Sequence, residues 1–229
     1  RSGQTVGLIE NLKSYSDKLD LSAERKQVLN SFLANRFPTT KDEEWKYTSL
    51  KKIVANEYAI ESTGEIIDAS TIEKYSLGFE NRIIFSDGEL INTPEIKGVS
   101  ISGFTEFESS TTDSVLQLNK ALAQNGFTIS VDKNIVLESP VEILFFATTE
   151  NNFSQYRNLI SVGDNAEVKF VERMQNLNNS TSMVNHFTQI HCAKNTKVEY
   201  NKIQNNTAES RLIDTVNVYQ EQDSTCDIN

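Results

Sequence analysis

Four residues carry side chains suited to transition-metal binding or to thiol and imidazole chemistry: His186, His191, Cys192 and Cys226. Imidazole and thiolate are the usual ligands of zinc, copper and iron, so spacing decides whether these four act together. His191 and Cys192 are adjacent, and on an extended strand they point to opposite faces and cannot share one ion without a bulge. His186 and Cys192 share a face, yet the strand between them holds them roughly 20 Å apart. Only a neighbouring segment could complete a site, Cys226 for example, and the usual fate of such a cysteine is a small buried core residue. The expectation is therefore no metal, no cofactor-binding and no catalytic role for these four.

Asp42, Glu43 and Glu44 place three carboxylates in a row, a composition that could serve acid–base work or a metal. Thr40 and Glu43, however, have capping-box spacing, and negative charge in a first helical turn is favoured by the helix dipole. Trp45 and Tyr47 could form an aromatic interface pair, but one face of Trp45 in a short helix packs naturally on what precedes it. The sequence contains no GxxxxGK[ST], GxGxxG or GxSxG string, so neither nucleotide hydrolysis nor a nucleophile elbow is supported. No enzymatic activity is expected of this stretch of chain.

The elements that must position these residues follow from periodicity. Leu8, Leu12, Tyr15 and Leu19 recur at helical steps, Ser22 can cap a second helix carrying Val28, Leu29, Phe32 and Leu33, and Pro38 stops it. Residues 5–37 thus read as a helical hairpin, followed by a short helix through Trp45 and Leu50. Residues 83–85 and 89–91 are apolar runs around Ser86-Asp87-Gly88, a tight-turn signal for a strand pair. Asp113 can cap a helix carrying Val115, Leu116, Leu118, Leu122 and Ala123, with Gly126 as its C-terminal stop. Beyond it Phe127, Ile129 and Val131, then Val141, Ile143 and Phe145, then Ala166, Val168 and Phe170 alternate as in strands. More strands are expected near residues 159–162, 183–192, 198–203 and 212–219. The steps between them leave no room for crossover helices. A β-sandwich and a solenoid both remain, the polar connectors at 176–182 and 204–210 suiting a solenoid. Three parts result: a helical region (1–60), a linking segment with hairpin and helix (61–125), and a β core (126–229).

Composition narrows the function classes. The 229 residues are 38% hydrophobic and 24% charged, ordinary for a folded chain. A net charge of −10 without a basic stripe repels nucleic acid and anionic lipid. Two cysteines in no CxxC pattern fit a reducing compartment. The sequons at Asn152, Asn178, Asn179 and Asn205 arise easily by chance in an Asn-rich chain. No signal core is visible and the longest apolar run, 143–147, is far short of a membrane span. A soluble, cytoplasmic protein is expected.

The string at 37–50, Phe-Pro-Thr-Thr-Lys-Asp-Glu-Glu-Trp-Lys-Tyr-Thr-Ser-Leu, resembles the N-terminal signature of the SufD branch of the SufB/SufD family of iron-sulfur cluster assembly scaffolds. Leu118-Asn119-Lys120-Ala121, Gly126-Phe127-Thr128-Ile129-Ser130-Val131 and Ser139-Pro140-Val141-Glu142-Ile143 resemble the start of that family's shared core, in the same order. Weaker matches at 83–91 and 157–163 extend the likeness over most of residues 8–203. The resemblance implies N-terminal helices followed by a right-handed parallel β-helix. It also implies an N-terminal fragment, whose later coils and C-terminal helical domain would meet a SufB-like scaffold and a SufC-like ATPase. An iron-sulfur cluster and a reduced flavin are implied for the whole complex, and no cofactor for residues 1–229. An incomplete solenoid exposes an unpaired end, so a fragment of this kind is expected to self-associate. The competing expectations are a secreted, lyase-like carbohydrate-active β-helix enzyme and the paralogous scaffold SufB.

Overall fold

The computed structural model describes residues 67–109, 119–121, 123, 125–148, 152–177, 182–205 and 211–229, together with Ala23 and Gln27. Apart from Ala23 and Gln27, both helical, the hairpin expected over 5–37 lies outside these residues, as do Asp42, Glu43, Glu44, Trp45 and Tyr47 with their short helix. Described are one helix, α1 (Ala69–Tyr75), and the strands β1 (Arg82–Ser86), β2 (Glu89–Asn92), β3 (Val99–Gly103), β4 (Phe127–Val131), β5 (Val141–Ala147), β6 (Asn152–Val162), β7 (Glu167–Asn176), β8 (Ser182–Cys192), β9 (Lys197–Asn205), β10 (Arg211–Gln220) and β11 (Thr225–Ile228). The chain is mainly β.

The strands form two sheets, one in the order β11-β9-β7-β5-β1-β2 and the other in the order β10-β8-β6-β4-β3. From β4 onward consecutive strands alternate between the sheets, and each pairs in parallel with the strand two places on. Thr128 lies opposite Leu159, Val168 opposite Val198, and Val198 opposite Cys226, so residues paired in parallel are 28 to 31 apart in sequence. Among the described residues, antiparallel pairing joins β1 with β2 and β3 with β4, with one isolated bridge between Ile96 and Val99. The hairpin expected around Ser86-Asp87-Gly88 is present, with φ of 46° at Asp87 and 94° at Gly88, the left-handed pair such a turn requires. Its first strand continues in parallel with β5, which brings it into the same sheet as the later strands.

Alternation builds the core. Phe127, Ile129 and Val131 point between the sheets in β4, Tyr156, Ile160 and Val162 in β6, Val168 and Phe170 in β7, and Ile190 and Cys192 in β8. Parallel register stacks apolar on apolar: Val131, Val162 and Cys192 form one ladder, and Val141, Phe170 and Tyr200 another. The rings of Phe85 and Phe145, register partners, stack at 4.8 Å and 9°. Burying each such ring stabilises the fold by about 2–3 kcal/mol.

In β5 the expected alternation gives way to burial on both faces, because Leu144 and Phe146 form a second cluster with Ile84 on the outside of the sheet. Ile67, Leu177 and, from α1, Ile72 and Tyr75 cover it. Asp68 caps α1 by accepting the Thr71 N–H at 2.8 Å.

At one edge every tight corner is four residues long: 163–166, 193–196 and 221–224. The third residue of each, Asn165, Asn195 and Asp223, has φ between 56° and 63°, and Asn134 after β4 has φ 65°. Asn tolerates this conformation better than most residues. The side chains then bond along the stack, Asn165 donating to Asn134 at 2.9 Å and Asn195 to Asn165 at 3.0 Å.

Candidate functional site

The apolar interior is interrupted at one level by charged side chains. On β7 the inward sequence Val168, Phe170 continues into Glu172; on β9 Val198, Tyr200 continues into Lys202; β6, β8 and β10 contribute Asn158, His186 and Asp214 at inward positions. Register sets the neighbours, with Glu172 opposite Lys202 in one sheet and Tyr156, His186 and Asp214 in line in the other.

These groups meet between the sheets. Lys202 Nζ lies 2.5 Å from Asp214 Oδ2 and 3.6 Å from Glu172 Oε2. His186 Nδ1 is 3.2 Å from Asp214 Oδ1, and its Nε2 is 3.6 Å from Glu172 Oε1. Tyr200 donates its hydroxyl to Glu172 at 2.6 Å. His186 and Tyr200 are fully buried and Glu172 almost so, with the rings of Phe145 and Tyr156 against the imidazole. Asn158 assigns the tautomer: its Oδ1 accepts the Phe127 N–H at 3.2 Å, so its amide nitrogen, 2.8 Å from His186 Nε2, must donate. His186 Nε2 is then an acceptor, and Nδ1 carries hydrogen toward Asp214.

The surroundings shift two of these groups. Burial pushes the Asp214 carboxyl up, but the hydrogen bonds from His186 and Lys202 and the charge of the Lys202 ammonium outweigh it and hold the group below the ordinary carboxylate range. Burial and the adjacent Glu172 carboxylate push the Tyr200 phenol well above its usual value, so it stays a hydrogen-bond donor. A carboxyl whose folded value is depressed contributes stability that is complete above its unfolded value, about 3.9, and is lost as pH falls through the lower folded value. Urea midpoints measured between pH 5 and 2.5 will therefore drop more steeply for the unaltered protein than for Asp214→Asn. Parallel curves would remove Asp214 from the acid response.

Of the four soft-ligand residues, only His186 joins this network. His191 and Cys192 face opposite ways as expected: Cys192 is buried in the core, while His191 is exposed and stacks on Tyr219 at 4.9 Å and 11°. His191 lines a surface groove of about 470 Å³ together with Ser130, Ser161 and Glu221. Cys192 meets Cys226 through a thiol hydrogen bond, which lowers the Cys192 thiol against the effect of its burial and pushes the Cys226 thiol up; both cysteines are free.

Glu172, Lys202, Asp214, Asn158 and Tyr200 were not anticipated. Reading every inward-parity position of each strand, polar as well as apolar, would have found them. Glu172, His186 and Asp214 each offer one ligand-type atom, and these atoms lie within 4.8 Å of one another.

Comparison with known proteins places this architecture. Residues 10–81 match the model of the SufBD protein N-terminal region, and residues 145–229 that of the SUF system FeS cluster assembly SufBD core domain. The chain is 25% identical over 199 residues to the iron-sulfur cluster assembly protein SufD of Escherichia coli (strain K12), covering 80% of this chain and 46% of that relative. It thus spans less than half the relative's length. With the N-terminal and core regions both matched, in that order along the sequence, the chain belongs to the SufB/SufD family of iron-sulfur cluster assembly proteins.

Proposed function

We propose that this chain is part of a SufD-type scaffold subunit, in which a right-handed parallel β-helix holds a SufB-like subunit and a SufC-like ATPase in fixed geometry while an iron-sulfur cluster is assembled. The observation that carries this reading is the unbroken parallel pairing from β4 to β11, strand alternating with strand between two sheets. Every backbone group inside such a stack is paired above and below, so the body resists bending and transmits a push from one bound partner to another. The corner ladder of Asn134, Asn165 and Asn195 supports the same reading, because stacked amides lock successive circuits in register.

In this reading the chain is a platform, and ATP chemistry belongs to the partner. The charged network fits that role, its groups being satisfied by one another between the sheets. Cytoplasmic residence goes with the same reading. Among the described residues no helix is long and apolar enough to cross a membrane.

The deciding experiment is affinity capture of the full-length protein with the SufB-like and SufC-like proteins of its own organism. Co-purification of both in a constant ratio is the expected result. Recovery of neither would end the scaffold reading.

A further inference from the structure

We propose that Cys192 and Cys226 form a two-thiol site for one soft, monovalent metal ion of the cuprous class. Two ladders of inward side chains flank the tight corners, one running Val131, Val162, Cys192 and the other Val168, Val198, Cys226. In each ladder two valines give way to a cysteine. Cys192 closes β8 just before the corner at 193–196, and Cys226 lies in β11 just after the corner at 221–224. The second corner is bonded directly to the first, the Glu221 N–H donating to Cys192 O and the Thr225 N–H to Thr196 O, both at 2.9 Å. The two side chains therefore enter the same core cluster from different sheets. Their thiols share a hydrogen bond, and neither is held in a disulfide.

The ordinary reading of a buried cysteine is a small apolar filler. Here valine occupies the equivalent places one and two rungs earlier in both ladders, so packing at these positions does not call for sulfur. What sulfur adds is a ligand.

The donor set defines the ion. Thiolate selects cuprous copper over harder ions. Metal–thiolate bonds of about 2.3 Å on opposite sides of one ion place the sulfurs about 4.6 Å apart, so the ion takes the position of the hydrogen between them with little outward movement of either. Structural zinc asks for four ligands. Among the described residues, the group of three or more His, Cys, Asp or Glu side chains close enough to share an ion is Glu172, His186 and Asp214, which contains neither cysteine. Two-coordinate, filled-shell monovalent ions are the class that two thiols alone can satisfy. A bound ion would clip the end of β8 to β11, and so one sheet to the other. The inference does not depend on the scaffold reading, since it concerns two side chains of this chain alone.

The probe is Cu⁺, offered without oxygen to the reduced full-length protein from a coloured chelator complex whose bleaching counts the copper withdrawn. Cys192→Val and Cys226→Val each extend a ladder with the residue it already carries, and melting without metal checks that both fold. The unaltered protein is expected to withdraw one equivalent more than either variant, that equivalent being held about 100-fold or more less tightly once either sulfur is lost. Copper is expected to raise the melting temperature of the unaltered protein by more than that of either variant. Zn²⁺ is expected to bind the pair about 100-fold or more weakly than Cu⁺. Should the valine variants fail to fold, Cys192→Ser and Cys226→Ser replace them with the same expectations. Equal copper uptake by the unaltered protein and the variants, an equivalent that survives loss of either cysteine, or zinc held as tightly as copper would overturn the proposal.

Discussion

Replacement of Gly126 by alanine lowers stability by about 3 kcal/mol or more, the combined cost of a strained backbone angle and an overlap that cannot relax. Gly126 has φ 146°, and a Cβ there would stand 2.1 Å from the Arg157 carbonyl oxygen and 2.8 Å from its carbon. The obstacle is backbone. Arg157 is fixed because its N–H donates to Asn125 O at 3.0 Å while Phe127 N–H bonds Asn158 Oδ1 on the other side of the contact. Any shift that relieved the overlap would also move Asn158, and with it the hydrogen bond that sets the His186 tautomer. Urea denaturation followed by circular dichroism gives the measurement, with Gly103→Ala as control, since a Cβ at Gly103 meets nothing within 4 Å. Equal midpoints for the two variants would contradict this account.

Loss of the Arg157 guanidinium costs about 3 kcal/mol as well, through groups on the outer face of the sheet. Arg157 is 2% exposed, and its guanidinium lies 4.4 Å from the ring centre of Phe107 and 4.9 Å from that of Phe187. It donates to Phe107 O at 3.2 Å, to Ser109 Oγ at 2.6 Å and to Asn119 Oδ1 at 3.3 Å. One side chain therefore clips residues 107–109 and the helical turn at 119–121 onto β6. In Arg157→Met these acceptors lose their donor, so the midpoint falls and protease cleavage within 104–109 speeds up. Arg157→Lys recovers less than half of the loss, because a point charge cannot replace a flat fork that bonds in three directions and stacks on aromatic rings. A lysine variant as stable and as protease-resistant as the unaltered protein would show that the fork is irrelevant.

Strand positions were largely legible because a period of two is a local property. Phe127, Ile129 and Val131 announce β4, and Asp87-Gly88 announces the β1–β2 turn. The strand β3 has only Val99 and Ile101 to mark it, and β11 only Cys226 and Ile228, so neither was anticipated. Helix α1 buries no residue completely, and its apolar stripe is only Ile72 and Tyr75. Which strand pairs with which was not legible from alternation, since a sandwich and a stack of parallel circuits present the same inward residues. What is constant along a ladder is geometry rather than residue type: Val131, Val162, Cys192 and Gln220 occupy equivalent places. The corner residues did carry a repeat, Asn134, Asn165 and Asn195, but three asparagines in an Asn-rich chain are easily overlooked.

The charged network was hidden for a related reason. Glu172, Lys202 and Asp214 look like surface residues when read singly, because charged side chains are seldom fully buried. Their inward parity becomes informative only when polar positions are read on the inward face together with the apolar ones. His186 was considered from the start, but for soft metal ligation with cysteines. Its actual neighbours are carboxylates and an ammonium, supplied by strands whose pairing the sequence did not disclose.

The corners at 163–166, 193–196 and 221–224 are all four residues long, and the amides of Asn165 and Asn195 bond from one to the next. One seam of the molecule is consequently a fixed gauge, where adding or removing a single residue would throw the amide rungs out of step and flip every following side chain to the wrong face.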